Sequence, residues 1–310
     1  MPNVSTAEKQ KMDGMWLNRE INKLDPEKIW VEYPAKPARN VFPIDTSIGK
    51  GFSEYTYKQY NKTGQAKIMN SKGTDIPKLN IFAEEFTAKI FEMGIGNDFT
   101  YQDLDKAARL GESLDSDFVM AAREMHIFKE NDVAFAGDSA SGLDGLTVNA
   151  NIGNTVVVNG ALSSPLWTGA SAKTPSEIYE DVASLIDSVY VETKGTHIAN
   201  TVLFPLSARA QLNQILTTVN GKSILAQLKE NFPQITQWEF INELETAGTG
   251  ATRIMYAYDK DPKVLRMIVP FETEVMPPVQ KENGYSVTSR MGIGGLNIRR
   301  PIAIQGAYGF

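Results

Sequence analysis

Apolar residues recur every three or four positions at Leu104, Ala107/Ala108, Gly111, Leu114, Phe118, Ala121/Ala122, Met125 and Phe128. That period is one stripe of an α-helix kept up for several turns. Thr100 is a good N-cap residue, and Asp103 sits near the positive end of the helix dipole. Together they predict a helix over residues 99–135. Unbroken, it would be roughly 50 Å long, with Gly111 as a place to kink. A second helix opens at Thr174-Pro175-Ser176-Glu177, which supplies a cap, a proline in the first turn and a capping-box glutamate. Its apolar face is Ile178, Val182, Leu185, Ile186 and Val189.

The rest of the C-terminal half alternates differently. Asn200 to Phe204 reads as a strand, followed by helices near 206–217 and 223–231. Strand-type segments follow at 234–241, 252–258, 263–270, 271–279, 285–291 and 296–306, with Glu282-Asn283-Gly284 as a hairpin tip. Residues 137–174 are rich in Gly, Ser, Asn and Thr, with Val156-Val157-Val158 as the one obvious strand. The fold class is therefore α+β.

The N-terminal part reads as two appendages. Residues 1–43 carry Pro26, Pro34, Pro37 and Pro43, which prevent a continuous helix or a central strand. They are expected to form either a partly ordered terminus or an arm anchored by Trp16, Trp30, Tyr33 and Phe42, with one short helix over Met12–Ile21. Residues 44–80 alternate as β-type sequence, with Tyr55 and Tyr57 out of phase with Glu54, Thr56 and Lys58. Asn61 to Gly64 is turn chemistry, and Gln65 to Met69 is the expected return strand. Lys50, Lys58, Lys62, Lys67, Lys72 and Lys78 face only Asp45, Glu54 and Asp75, so this segment is basic. A two-stranded hairpin without a core is marginal in water, so it either edges its own domain or lies on another surface. The long helix carries eight carboxylates against four cations, so its charge is opposite to that of the hairpin segment.

Composition narrows the chemistry. The chain has 310 residues, is 42% hydrophobic and 22% charged, and so can bury a core. No apolar run approaches the ~18 residues of a spanning helix, so no membrane is expected, and the first residues lack the pattern of a secretory signal. Cysteine is absent, which removes disulfides, thiolate nucleophiles and Cys-ligated zinc. Two histidines, His126 and His197, leave little room for a histidine metal cluster, and no cofactor is expected. The net charge of −6 gives no bulk reason to bind nucleic acid tightly. Gly137-Asp138-Ser139 suggests a serine nucleophile, but Ser141 stands where the elbow pattern needs glycine. Asn220 to Ser223 ends like a P-loop whose first glycine is replaced by Leu216. Gly292 to Asn297 is no dinucleotide fingerprint, because its sixth position is Asn. A structural subunit is favoured over an enzyme, with an oligomeric serine hydrolase using Ser139 as the rival.

The order of segments is proline-broken arm, basic hairpin, very long helix, Gly-rich turn, α/β block, late hairpin and closing strand. Gly137 through Gly142-Leu143, Gly145-Leu146 and Asn149 resembles the turn after the spine helix of tailed-bacteriophage major capsid proteins. Trp167 with Thr174, Glu177-Ile178 and Asp181 resembles the entry to their axial domain, and Phe204-Pro205 with Leu212 and Leu216 its next element. Arg290 to Ala307 is similar to their final strands. This Hong Kong 97-like fold is shared by encapsulin shells, whose cargo compartment is the alternative.

The resemblance implies an N-arm at 1–43, an extended β-hairpin loop at 44–80, and a peripheral domain at 81–172 with its spine helix. It implies an axial domain at 173–270, and at 271–310 a returning hairpin of the peripheral domain plus a closing strand. It further implies an icosahedral virion shell of hexamers and pentamers, assembled in the host cytoplasm around DNA, with scaffolding, portal and cement proteins as partners. Residues 1–43 are too short for the cleaved scaffolding segment of some members, so a separate scaffold or a mature form is expected. Inter-subunit contacts are expected at Trp16, Trp30, Tyr55, Tyr57, Lys58, Lys62, Lys67, Lys72, Lys281, Glu282 and Asn283. In members that weld subunits by a Lys–Asn bond, Lys62, Lys67 or Lys72 would be the matching lysine.

Overall fold

The computed structural model describes residues 33–68, 77–110, 114–216 and 221–310. Trp16, Trp30, Lys72 and the Met12–Ile21 helix lie outside them. The elements run α1 (Ala38–Val41), β1 (Ile44–Asp45), β2 (Glu54–Thr63), β3 (Asn80–Lys89), β4 (Phe91–Thr100), α2 (Tyr101–Leu110) and α3 (Leu114–Ala136). There follow β5 (Gly153–Val156), α4 (Pro175–Glu192), β6 (Thr201–Pro205), α5 (Ala208–Leu212), α6 (Ile224–Asn231), β7 (Gln237–Ile241) and β8 (Ile254–Tyr258). The chain closes with β9 (Leu265–Ile268), β10 (Glu274–Val275), β11 (Val279–Lys281), β12 (Gly284–Ile293), β13 (Leu296–Ile298) and β14 (Ile304–Tyr308).

The helical stripe folds as α2 and α3, on either side of residues 111–113, which lie outside the described residues. The helix starts at Tyr101 rather than at residue 99, because Phe99 and Thr100 are still paired with Tyr285 and Gly284 across the β4–β12 ladder. Thr100 caps it as expected. The Asp103 amide donates to Thr100 Oγ1 at 3.3 Å, and Thr100 Oγ1 donates to Asp103 Oδ2 at 2.7 Å. At the other end Gly137 turns to φ +74°, which ends α3. The Gly-rich run then folds back on the helix terminus. Asp138 and Leu143 exchange backbone hydrogen bonds, and the Leu146 and Thr147 amides donate to the Ala134 and Phe135 carbonyls. A Cβ on Gly145 would sit 2.3 Å from the Phe135 carbonyl oxygen, so glycine here allows backbone to touch backbone.

The hairpin differs from expectation. β2 pairs not with residues 65–69 but with β3, in register from Glu54↔Lys89 to Thr63↔Asn80. Cross-strand chemistry selects this register. Lys58 meets Glu85 at 2.9 Å, the Thr56 and Thr87 hydroxyls lie 3.0 Å apart, and the Tyr57 and Phe86 rings stack at 5.5 Å. The return strand brings Glu84, Glu85 and Lys89, so the two strands together carry three lysines and three glutamates. The hairpin strands are neutral, not basic.

Three further sheets form the body: β1-β9-β13; β10-β12-β11, with β4 also on β12; and β5-β14-β8-β6-β7. The segment expected as one strand over 296–306 is split between two of them, because β13 pairs with β9 before Pro301 opens a 3-10 turn into β14. The 271–279 strand shrinks to β10, since Pro277 and Pro278 remove ladder donors before β11. The helix near 206–217 keeps only Ala208–Leu212, after which Ile215 pairs with Ser223. α4 has the expected capping box and buries the five residues of its apolar face against the five-stranded sheet.

Residues 36–43, part of the expected arm, are built into the body. Phe42 is buried between Phe135 of α3 (5.3 Å) and Tyr258 of β8 (6.2 Å). The Tyr258 hydroxyl donates to the Val41 carbonyl at 2.9 Å, and β1 continues into a parallel pairing with β9. Truncating Phe42 to alanine is expected to cost about 3–5 kcal/mol. Gly145→Ala, which forces backbone apart, is expected to cost about 1–3 kcal/mol. Denaturant unfolding of the purified variants reads both.

Candidate assembly surfaces

The foot of the hairpin is held by two arginines. Tyr55 and Tyr57 lie two residues apart on β2 and so share a face. β9 presents Arg266, and Arg299 follows β13 beside it. The Arg266 guanidinium lies 5.2 Å from the Tyr55 ring centroid and donates to the Tyr55 hydroxyl. Arg299 donates to the same hydroxyl at 2.9 Å and lies 4.7 Å from the Tyr57 ring. Asp45 of β1 pairs with Arg266 and accepts from the Ser47 amide and hydroxyl at 3.0 and 2.6 Å. Burial pushes the Asp45 carboxyl up, but the Ser47 hydrogen bonds and Arg266 together hold it below the usual range. Burial raises the Tyr57 hydroxyl. Tyr55 and Tyr57, expected at an inter-subunit contact, thus meet arginines of their own chain.

Further out, no described residue outside the hairpin makes a hydrogen bond or ring contact to the strands in this way. Tyr60, Ile81 and Phe82 are 64%, 59% and 60% exposed. Lys62 and Lys67 are exposed in the same stretch, while Lys58 is paired with Glu85.

The second candidate surface is the late hairpin. Lys281 and Gly284 pair across the two-residue turn Glu282-Asn283, so the hairpin tip expected at Glu282-Asn283-Gly284 is present, with Gly284 already in the strand. Lys281 Nζ donates to both Asp98 carboxylate oxygens at 2.8 Å, and the Tyr101 amide donates to the Asn283 carbonyl at 3.3 Å. Glu282 and Asn283 are exposed at the tip, above a hollow of about 580 Å³ lined by residues 98–100 and 280–285.

A third cluster locks α1 onto the long helix. Glu130 of α3 is 1% exposed. Arg39 donates to it from Nε at 2.9 Å and from a terminal nitrogen at 2.7 Å, and reaches Glu272 with the other fork at 2.9–3.0 Å. Asn131 accepts from the Ala38 amide at 3.1 Å and donates to Glu243 at 2.6 Å, which also takes Lys36 at 3.1 Å. Burial raises the Glu130 carboxyl above its ordinary range, against the pull of Arg39. Sequence reasoning missed Arg39, Glu130, Arg266 and Arg299, whose partners lie from 91 to 244 residues away.

The residues of the hydrolase reading do not converge. Ser139 is exposed in the turn after α3. His126 is buried against Ser289 Oγ at 3.0 Å, and burial lowers its pKa. His197 meets Asp259 at 2.9 Å and Arg300 at 3.0 Å. Among the described residues no His/Asp/Glu group could hold a metal ion, and no helix is long and apolar enough to cross a membrane.

A family model described as major capsid protein matches residues 64–308. The chain belongs to the major capsid protein family. Among solved structures, the capsid of Myoviridae phage XM1 is similar at TM-score 0.79 and 18% identity, over 94% of this chain and 98% of that one. The capsid of a native GTA particle is similar at 0.67 and 11%, over 99% of both chains. A virus-like particle from Pyrococcus furiosus is similar at 0.52 and 12%, over 86% and 90%. These likenesses show the Hong Kong 97-like capsid fold. No curated protein matches. The major capsid protein is a structural subunit of a phage head shell, and its exposed hairpin, late hairpin and α1 lock are read in that light.

Of the three, the α1 lock makes the sharpest electrostatic forecast. Arg39→Leu strands a buried carboxylate and is expected to cost about 3–5 kcal/mol at neutral pH, more than Glu130→Gln. In that variant Glu130 has a folded pKa above its unfolded one, so the penalty grows as pH rises past the unfolded value. It is relieved as pH falls and the carboxyl takes up a proton. Unfolding of both variants between pH 4 and 8 checks the sign.

Proposed function

We propose that many copies of this capsid protein close into an icosahedral head of hexamers and pentamers around double-stranded DNA. The observation that carries this reading, beside family membership, is the distal β2–β3 ribbon. It exposes Tyr60, Ile81 and Phe82 and has no core of its own, so a neighbouring copy is the natural cover. The net charge of −6 suits a container that must not adhere to packaged DNA. The role is mechanical rather than enzymatic, and Ser139 serves as a turn residue. Assembly takes place in the host cytoplasm, with scaffolding, portal and cement proteins as partners.

In this reading residues 1–35 are the N-arm. The hairpin loop reaches to Lys89. The peripheral domain holds α2, α3, β4 and β10–β12, and the axial domain holds the five-stranded sheet with α4–α6. Contacts to neighbouring copies are carried by Trp16, Trp30, Lys62, Lys67 and Lys72, by the exposed ribbon, and by Lys281, Glu282 and Asn283 at the late hairpin. Because the ribbon strands are neutral, their docking relies on apolar cover more than on attraction to the acidic long helix.

Electron microscopy of the purified chain should show closed shells, and heads recovered from infected cells should protect DNA from nuclease. Small oligomers alone, with or without scaffold, would overturn the reading. Ile81→Ser with Phe82→Ser should lower shell yield at least tenfold while leaving the melting temperature of the subunit unchanged.

A further inference from the structure

Among the described residues, every hydrogen bond and ring contact from β2 or β3 to the rest of the unit runs through Tyr55 or Tyr57. The two strands are ten residues each. At about 3.3 Å per residue the hairpin is a lever roughly 33 Å long, so a tilt of about 10° at its foot carries the far end about 6 Å. An apolar contact is lost over such a shift. Whatever holds the foot therefore decides where Tyr60, Ile81 and Phe82 arrive.

The holding contacts are directional. Arg266 and Arg299 both aim at one hydroxyl, that of Tyr55, while each lies against one ring of the Tyr55/Tyr57 pair. A guanidinium is planar, and its fork fixes an angle that a lysine ammonium does not. Two such contacts on consecutive same-face residues restrain both tilt and twist. Arg266 and Arg299 come from neighbouring positions of one sheet, and Asp45 offsets their charge. The Nε atoms of both arginines are buried without a partner. That leaves the joint short of full satisfaction, as a joint that must yield under assembly strain would be.

We infer that the Arg266–Arg299 clamp on Tyr55 and Tyr57 sets the angle at which the hairpin leaves the body, and so positions it for a neighbouring copy before the two meet. Arg266 and Arg299 are positioning residues: they act through Tyr55 and Tyr57 of their own chain. The consequence for the shell rests on the reading of the hairpin as a contact arm.

The chain has no cysteine, so single cysteines can be added cleanly. Spin labels at Thr63→Cys on the hairpin and Asp187→Cys on α4 would report the spread of hairpin angles in the unassembled subunit. In the unaltered background one narrow distance distribution is expected. Arg299→Leu should at least double its width, and Arg299→Lys, which keeps the charge and loses the plane, should do nearly the same. Tyr55→Phe, which keeps the ring and loses the hydroxyl, should give an intermediate width and guards against a misfolded arginine variant. Melting temperatures should stay within the spread of the labelled parent. In assembly, the arginine variants should give particles of mixed diameter by electron microscopy. Unchanged widths in all three variants, or full rescue of width and diameter by Arg299→Lys, would overturn the clamp. Failure of the unaltered chain to form shells would instead overturn the shell reading, and the distance measurement would still decide the clamp.

Discussion

Phe42 is the point at which the body of the protein is joined. Its ring lies against Phe135 from the long helix and Tyr258 from the five-stranded sheet, and two residues later the chain enters β1 and pairs with β9. One buried side chain thus brings together a helix and two sheets whose residues are far apart in sequence. The polar contacts around it are arranged to keep it there. Tyr258 donates to the Val41 carbonyl, Asn131 receives the Ala38 amide, and Arg39 closes over Glu130. A four-residue helix has negligible stability of its own, so this segment is ordered by its socket and not by propensity.

Some of this was legible in the chain. The α4 capping box, its buried face and the hairpin tip at Glu282-Asn283-Gly284 are written in residues within a turn or two of one another, and all three are present in the fold. Thr100 was legible as a cap for the same reason. The errors share a different cause. The turn signal at Asn61 to Gly64 points to a return strand at 65–69, but the ladder closes further along the chain. The actual partner, β3, is selected by Lys58–Glu85, Thr56–Thr87 and Tyr57–Phe86, and these can be recognised only once the register is known. Residues 44–80 are basic by themselves, and the ribbon becomes neutral only because its true return strand brings Glu84 and Glu85.

The candidate surfaces divide along the same line. Exposed apolar residues such as Tyr60, Ile81 and Phe82 are visible in sequence as residues, but their exposure follows from pairing on a ribbon with no second layer. Arg266 and Arg299 carry no local mark at all. Each sits at or beside a short strand, and its significance comes only from Tyr55, more than 200 residues away.

The body and the hairpin are therefore fixed by different physics. The body is held by close-packed apolar contact, which has one good arrangement and resists any small displacement. The hairpin is held by planar cations against rings, which have a preferred angle but lose their energy gradually as it changes. In the proposed shell of hexamers and pentamers a subunit fills non-equivalent positions, and there it needs both behaviours. If the hairpin were packed as firmly as Phe42, each subunit would offer a single geometry to its neighbours. If it hung free, ordering it would cost entropy at every contact made. A polar joint at the foot of a stiff, neutral lever lies between these limits: it aims the apolar end before contact and still allows the angle to adjust once contact is made.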